Sequence, residues 1–189
     1  MIKDLVLQSR SYRRFDQTHQ VNEETLRALV DLARLSPTGA NMQPLKFFIA
    51  FSNEMNAKIF PTLSWAGYLK DWSGPIEGER PTAYIIILGD KTIKENFGVD
   101  PGIAAQSMLL GAVEMGLGGC MIASVKRGAL KEALHIADHF ETLLVLALGK
   151  PLETVVIEEV PQSGDIRYYR DKLGIHHVPK RSLEDLIIN

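Results

Sequence analysis

Apolar positions recur along this chain in two rhythms, one helical and one extended. At the N-terminus Ile2, Leu5 and Val6 share one face of a short helix that should end near Ser9. From Asn22 the spacing of Leu26, Leu29, Val30 and Ala33 predicts a second helix. Asn22 is its N-cap, Val21 and Leu26 form a staple across the first turn, and Glu23 and Glu24 favour its dipole. Pro37 cannot continue it. Continuous apolar runs then take over: Phe47–Phe51 and Ala83–Leu88 read as buried strands, and Leu143–Leu148 as another, closed by a Gly149-Lys150-Pro151 turn. Asp100-Pro101 is a helix start, an N-cap followed by proline. From Gly102 to Met115 nearly every face of that helix is apolar, which predicts burial on all sides and, in so short a chain, a second subunit over one of them. Gly116 and Gly118 stop it; residues 119–123 read as extended, Gly128–Ile136 as helical and Val155–Val160 as an edge strand.

Composition narrows the classes. A chain of 189 residues suits one domain, taken as 1–189, with room for a proper core. A net charge of -2 argues against a general nucleic-acid binder, which needs a basic surface. Cys120 stands alone, so no disulfide closes within the chain, in keeping with the reducing cytoplasm. No apolar run reaches the roughly 18 residues of a membrane span, and the N-terminus lacks the pattern of a secretion signal.

Two polar stretches carry candidate chemistry. In Arg10-Ser11-Tyr12-Arg13-Arg14-Phe15, guanidinium forks beside a hydroxyl suit a phosphate, and a solvated, ion-paired face is the other reading. In Ser36–Phe47, Thr38, Asn41 and Gln43 offer groups that both donate and accept, while Pro37, Gly39 and Pro44 shape the backbone. Such a loop reads the edge of a polar heterocycle, or is simply a helix stop followed by turns. The segment 61–81, with Trp65, Gly67, Tyr68, Trp72 and Gly74, is either a lid or a short helix over Trp65–Asp71 packed on the core. His135, Asp138 and His139 have metal-like spacing but no further partner, so no metal is assigned. Gly116-Leu117-Gly118 follows a helix and lacks a third glycine, so it is not a dinucleotide fingerprint. The tail, 161–189, adds a basic cluster and, through Leu183, Leu186 and Ile187, is expected to dock.

In this order the pieces resemble the nitroreductase-like flavoprotein family. Ser9-Arg10-Ser11-Tyr12-Arg13-Arg14-Phe15 is similar to its opening Arg-Arg-Ser-x-Arg-x-Phe. Ser36-Pro37-Thr38-Gly39-Ala40-Asn41-Met42-Gln43-Pro44-Leu45 is similar to its Ala-Pro-Ser-x-x-Asn-x-Gln-Pro-Trp. The buried helix ending in Gly-Leu-Gly, the Gly149-Lys150-Pro151 turn and the basic tail fit as well. The resemblance implies an α+β fold, a central mixed sheet wrapped by helices, in an intertwined homodimer with FMN at the subunit interface. It implies that Arg10, Ser11 and Arg13, joined by Lys180 and Arg181, hold the phosphate and ribityl chain. Pro37, Thr38, Gly39 and Asn41 would come from the partner subunit, with Gln43 a looser match, and the backbone at Ile122, Ala123 and Ser124 would line the flavin. Arg13 would stabilise the reduced flavin. Ser9 in place of arginine removes one expected phosphate contact, and Leu45 in place of tryptophan alters packing under the loop. The implied activity is ping-pong hydride transfer from NAD(P)H to a nitroaromatic, quinone or similar small acceptor; a flavin sensor or store without turnover is the alternative. No nucleic-acid or membrane partner is expected.

Overall fold

Strand β3 (Ala83–Asp90) is the spine of the computed structural model, which describes residues 1–188. Every residue of β3 is buried, and the β-branched run Ile85-Ile86-Ile87 suits a strand covered on both faces. It pairs antiparallel with β2 (Leu45–Ala50) on one side and with β5 (Phe140–Pro151) on the other. The far edge of β5 is shared by β1 (Phe15–Asp16) and β4 (Gly118–Ile122), both antiparallel to it, completing a five-stranded sheet. The mixed character expected of the sheet enters through a parallel bridge between Ser11 and Gly119. A smaller three-stranded sheet joins β6 (Val155–Glu159) in parallel to β8 (His176–Lys180), with β7 (Tyr169–Arg170) antiparallel to β8.

Alternation along β3 divides the core into two layers. Ile85 and Ile87, with Leu146 and Leu148 of β5, pack under α2 (Glu23–Leu35) and α4 (Asp100–Glu114) through Leu26, Leu29, Ala105 and Met108. Tyr84 and Ile86, with Cys120 and Ile122 of β4, pack under α3 (Asn53–Ile59) and α5 (Arg127–Ala133) through Ile59 and Leu130. Each of the three isoleucines is fully buried, a contribution of roughly 1.5–3 kcal/mol apiece. Helices α2 and α4 meet at Gly111, where an added Cβ would lie 2.2 Å from Leu32 Cδ1, so any side chain here makes that leucine shift. A short helix, α1 (Ile2–Gln8), lies against α4.

Several expectations need correcting. The run at 47–51 is an edge strand, half-buried along most of its length, because β2 pairs only with β3. The Gly149-Lys150-Pro151 segment continues β5, since β1 and β4 supply ladder partners there. The N-cap of α4 is Val99; Asp100 is its first helical residue and turns its carboxylate to the Gly39 N–H, 3.0 Å away. Within its own chain α4 is covered on all but one side, where Ile103, Leu110 and Val113 are half-buried, which leaves open the expectation of a second subunit there. No helix forms at 65–71, where turns at Ala66 and Leu69 replace it. Helix α5 stops at Ala133, because Leu134 leaves the helical range and His135 has φ 52. Leu183, Leu186 and Ile187 stay exposed on this chain, whereas residues 169–180 do fold back through β7 and β8.

Candidate functional site

The N-terminal arm is laid along the sheet before it turns inward. Ser9 ends α1, and the next residues run beside β4: Tyr12 N–H donates to Gly119 O at 3.1 Å, next to the Ser11–Gly119 bridge. Gly119 has to be small here, since a Cβ would sit 2.8 Å from Ala147 O and 2.6 Å from Leu109 Cδ2. The arm then reaches Glu153, whose side chain has no solvent exposure. That carboxylate accepts from the backbone N–H of Arg13 and, at 3.2 Å, of Arg14, and pairs with Arg170 at 2.9 Å. One buried anion thus fixes the bend that brings Arg13 inward while Arg14 pairs with Glu79 at 2.7 Å.

Arg13 is 9% exposed, yet among the described residues no carboxylate pairs with its guanidinium. Its Nη1 donates to Ser11 O at 3.1 Å and meets His176 Nε2 at 3.2 Å, and the guanidinium lies 4.8 Å from the centre of the Tyr168 ring. Since a guanidinium only donates, His176 Nε2 is the acceptor and the ring proton sits on Nδ1, which is buried without a partner. Burial, followed by the neighbouring charges of Arg13 and Arg170, pulls the His176 imidazole down to about 4, so it is neutral at ordinary pH. The positive charge of Arg13 therefore has no counter-ion on its own fork, and an anion could meet it there.

Arg13 opens onto a cavity of about 230 Å³ whose walls include Trp65, Cys120, Ile122, Ala123, Ser124 and Tyr168. The N–H groups of Ala123 and Ser124 have no protein partner among the described residues, while Ser124 O accepts from Ser64 N–H at 2.9 Å. Those two donors at the end of β4 can meet the polar edge of a planar ligand. Burial pushes the Cys120 thiol up, so it stays protonated and serves as packing. Trp65 Nε1 and Arg10 Nε are buried donors without partners. Arg10 otherwise bonds back to Val6 O at 2.7 Å.

The loop after α2 lines a different cavity, of about 250 Å³, through Pro37, Thr38, Gln43 and Asp100. Ala40, Asn41 and Gln43 all have positive φ, near 50°, an unusual run for residues with side chains. They are held by Asp100 on Gly39, by Thr38 Oγ1 accepting from Gln43 N–H at 3.3 Å, and by Gln43 Nε2 on Asn41 O at 3.2 Å. The Asn41 side chain is exposed.

Within one chain, then, Arg13, Ile122, Ala123 and Ser124 line one cavity with Arg10 and Ser11 on the adjoining arm. Pro37, Thr38 and Gln43 line the second, while Gly39 and Asn41 lie on the turn between them. Lys180 and Arg181 are exposed at and just beyond the end of β8. His176, which touches Arg13, starts that strand, four residues or roughly 13 Å from Lys180. Sequence reasoning missed Glu153, Tyr168 and His176 as site residues. The tyrosine and histidine stood in the basic tail, but nothing local marks Glu153. His135, Asp138 and His139 do not form a ligand set: Lys131 takes Asp138 at 2.6 Å, and the His139 ring lies tilted against Phe140. No helix among the described residues is long and apolar enough to cross a membrane.

The sequence profile of the Nitroreductase family matches residues 6–71 and 77–150. A protein of Methanothermobacter thermautotrophicus provisionally named NADH dehydrogenase/NAD(P)H nitroreductase is 28% identical over 151 residues, 76% of this chain and 74% of its own. Among solved structures, an FMN-dependent nitroreductase of Clostridium difficile R20291 superposes with a TM-score of 0.65 at 21% identity, covering 81% of this chain and 88% of its own. A provisionally assigned nitroreductase of Exiguobacterium sibiricum 255-15, solved in complex with FMN, gives 0.68 at 19% identity over 81% of this chain and 89% of its own.

Proposed function

The match spans well over half of the chain, which therefore belongs to the nitroreductase family, and from that premise we propose that it is an FMN-dependent NAD(P)H oxidoreductase. Hydride from NAD(P)H would be passed on to a nitroaromatic, a quinone or a similar small acceptor. The observation that carries the reading is the buried guanidinium of Arg13, without a carboxylate partner, beside free backbone N–H groups and a cavity of about 230 Å³.

The donor set fits FMN. Arg10 and Ser11 on the arm, with Lys180 and Arg181, would hold its phosphate and ribityl chain; Ala123 and Ser124 N–H would meet the polar edge of its ring, and Ile122 would lie against it. When bound, the flavin supplies a two-electron carrier that takes up and gives out hydride. The chain's task is then to place charge and exclude water. Arg13, held by Ser11 O, His176 and Tyr168, presents a fixed cation to developing negative charge without reorganising. Trp65 and its segment, 61–81, form a wall that shields the cavity, and we read that segment as its lid.

The amide-rich loop points into another cavity of its own chain, which supports a homodimer in which Pro37, Thr38, Gly39, Asn41 and Gln43 of the partner subunit complete the site. The half-buried side of α4 around Leu110, flanked by the exposed Leu35, is the surface we assign to that contact. The test is an absorption spectrum of purified protein under nitrogen. A yellow protein bleached by NADH or NADPH and recoloured by a quinone is expected; a yellow protein that neither coenzyme bleaches refutes turnover. Arg13→Ala should weaken FMN binding at least tenfold, the worth of one charge-assisted hydrogen bond, and unchanged affinity removes Arg13 from the site.

A further inference from the structure

Beyond the wall formed by Trp65 lies a third, separate cavity. The Trp65 ring packs at a tilt against Phe60 with centroids 5.9 Å apart, and Phe60 lines a space of about 260 Å³ between α3, the turn at 77–81 and the start of β3. Three residues bordering it each carry a buried polar atom with no partner: Asn56 Oδ1, Arg80 Nε and Tyr84 OH. So many unsatisfied groups around one cavity call for an occupant.

Their orientation is determined by what surrounds them. Asn56 Nδ2 donates to Thr82 O at 2.7 Å, so Oδ1 is left over as an acceptor. Tyr84 is fully buried, and burial holds its phenol well above the ordinary value, so it remains an O–H donor. The turn carrying Arg80 is pinned by Gln17 Oε1, which accepts from the N–H groups of Gly78 at 2.8 Å and Arg80 at 3.2 Å. The Arg80 guanidinium lies 4.5 Å from the centre of the Phe60 ring and is half-buried. Among the described residues no carboxylate pairs with it: Glu79 is committed to Arg14, and Glu77 is exposed at the rim. Phe60, Ala57 and Pro81 supply an apolar middle.

We propose that this cavity binds a small aromatic carboxylate bearing a hydroxyl group, the carboxylate on Arg80, the ring against the apolar wall, and the hydroxyl between Asn56 and Tyr84. The carboxylate neutralises a half-buried cation, and the hydroxyl answers one acceptor and one donor that otherwise stay unpaired.

The test titrates 4-hydroxybenzoate and benzoate calorimetrically into the full-length protein as isolated, with the flavin spectrum followed in parallel. Saturable binding of 4-hydroxybenzoate is expected, about tenfold tighter than benzoate, with the visible spectrum unshifted. Arg80→Gln should weaken it at least tenfold while Arg80→Lys retains part of it, and Tyr84→Phe should narrow the gap between the two ligands. Absence of saturation up to about 10 mM overturns the proposal, as does binding that survives Arg80→Gln or that perturbs the flavin. The binding readout does not require flavin reduction, so its failure leaves the oxidoreductase reading standing, and the reverse also holds.

Discussion

Glu153→Gln isolates the part of the site that depends on charge. The native carboxylate, shut off from solvent, accepts two backbone N–H groups and one guanidinium that is itself 17% exposed. Glutamine keeps the shape and one acceptor oxygen, but it leaves Arg170 buried without a counter-ion and turns an amide NH2 toward one of the three donors. Breaking a buried pair in this way costs about 3–5 kcal/mol. For a chain of this length that is a fall in melting temperature of roughly 6–20 °C. The control is Glu79→Gln, which removes the more exposed partner of Arg14 and should cost about 1 kcal/mol. Denaturant unfolding at fixed protein and flavin concentrations measures both. The double substitution Glu153→Gln with Arg170→Met should regain much of the loss, since no charge is then stranded. Equal, small effects at the two glutamates, or no recovery in the double variant, would refute the assignment of Glu153 as the anchor of the arm.

His176 gives a pH dependence of definite sign. Its folded value of about 4 lies below the ordinary 6.5, so on acidification the unfolded chain takes up the proton first. Stability from this residue is complete above about pH 6.5 and is lost as pH falls toward 4; unfolding titrations of His176→Asn should show that slope removed. His177 contributes in the opposite sense, because the Glu158 carboxylate raises its value, and that contribution fades as pH rises through the raised value. Gly111→Ala should cost about 1–3 kcal/mol by overpacking against Leu32, and the added Leu32→Ala should relieve the clash in a double-mutant cycle of unfolding energies.

Local periodicity made α2 and β3 legible, because both bury a regular set of side chains whose spacing is a property of the element itself. The staple of Val21 and Leu26 and the Asn22 cap formed as expected, with Asn22 Oδ1 accepting from Thr25 N–H at 2.9 Å. Asp100 carried the signature of a cap, but the signature is blind to a long-range donor, and Gly39 claimed its carboxylate. Glu153 was invisible for the same reason: its partners are Arg13, Arg14 and Arg170, and only the fold brings them to it. The segment 61–81 held aromatic residues whose order comes from elsewhere. Tyr68 packs on Tyr168 at 4.9 Å and Trp72 lies under Arg170 at 4.8 Å, so the tail, not a helix, shapes that stretch. Arg13 and residues 122–124 line one cavity and Pro37, Thr38 and Gln43 another, a division that the family resemblance implied and that periodicity along the chain does not reveal.

The lone thiol of Cys120 sits on β4 at the floor of the Arg13 cavity, 4% exposed and boxed in by the sheet. With no other sulfhydryl in the chain, its reaction with an aromatic disulfide reagent becomes a clock for the loosening of that sheet edge. Any ligand that braces the edge should slow the clock, and the unaltered protein supplies the reading.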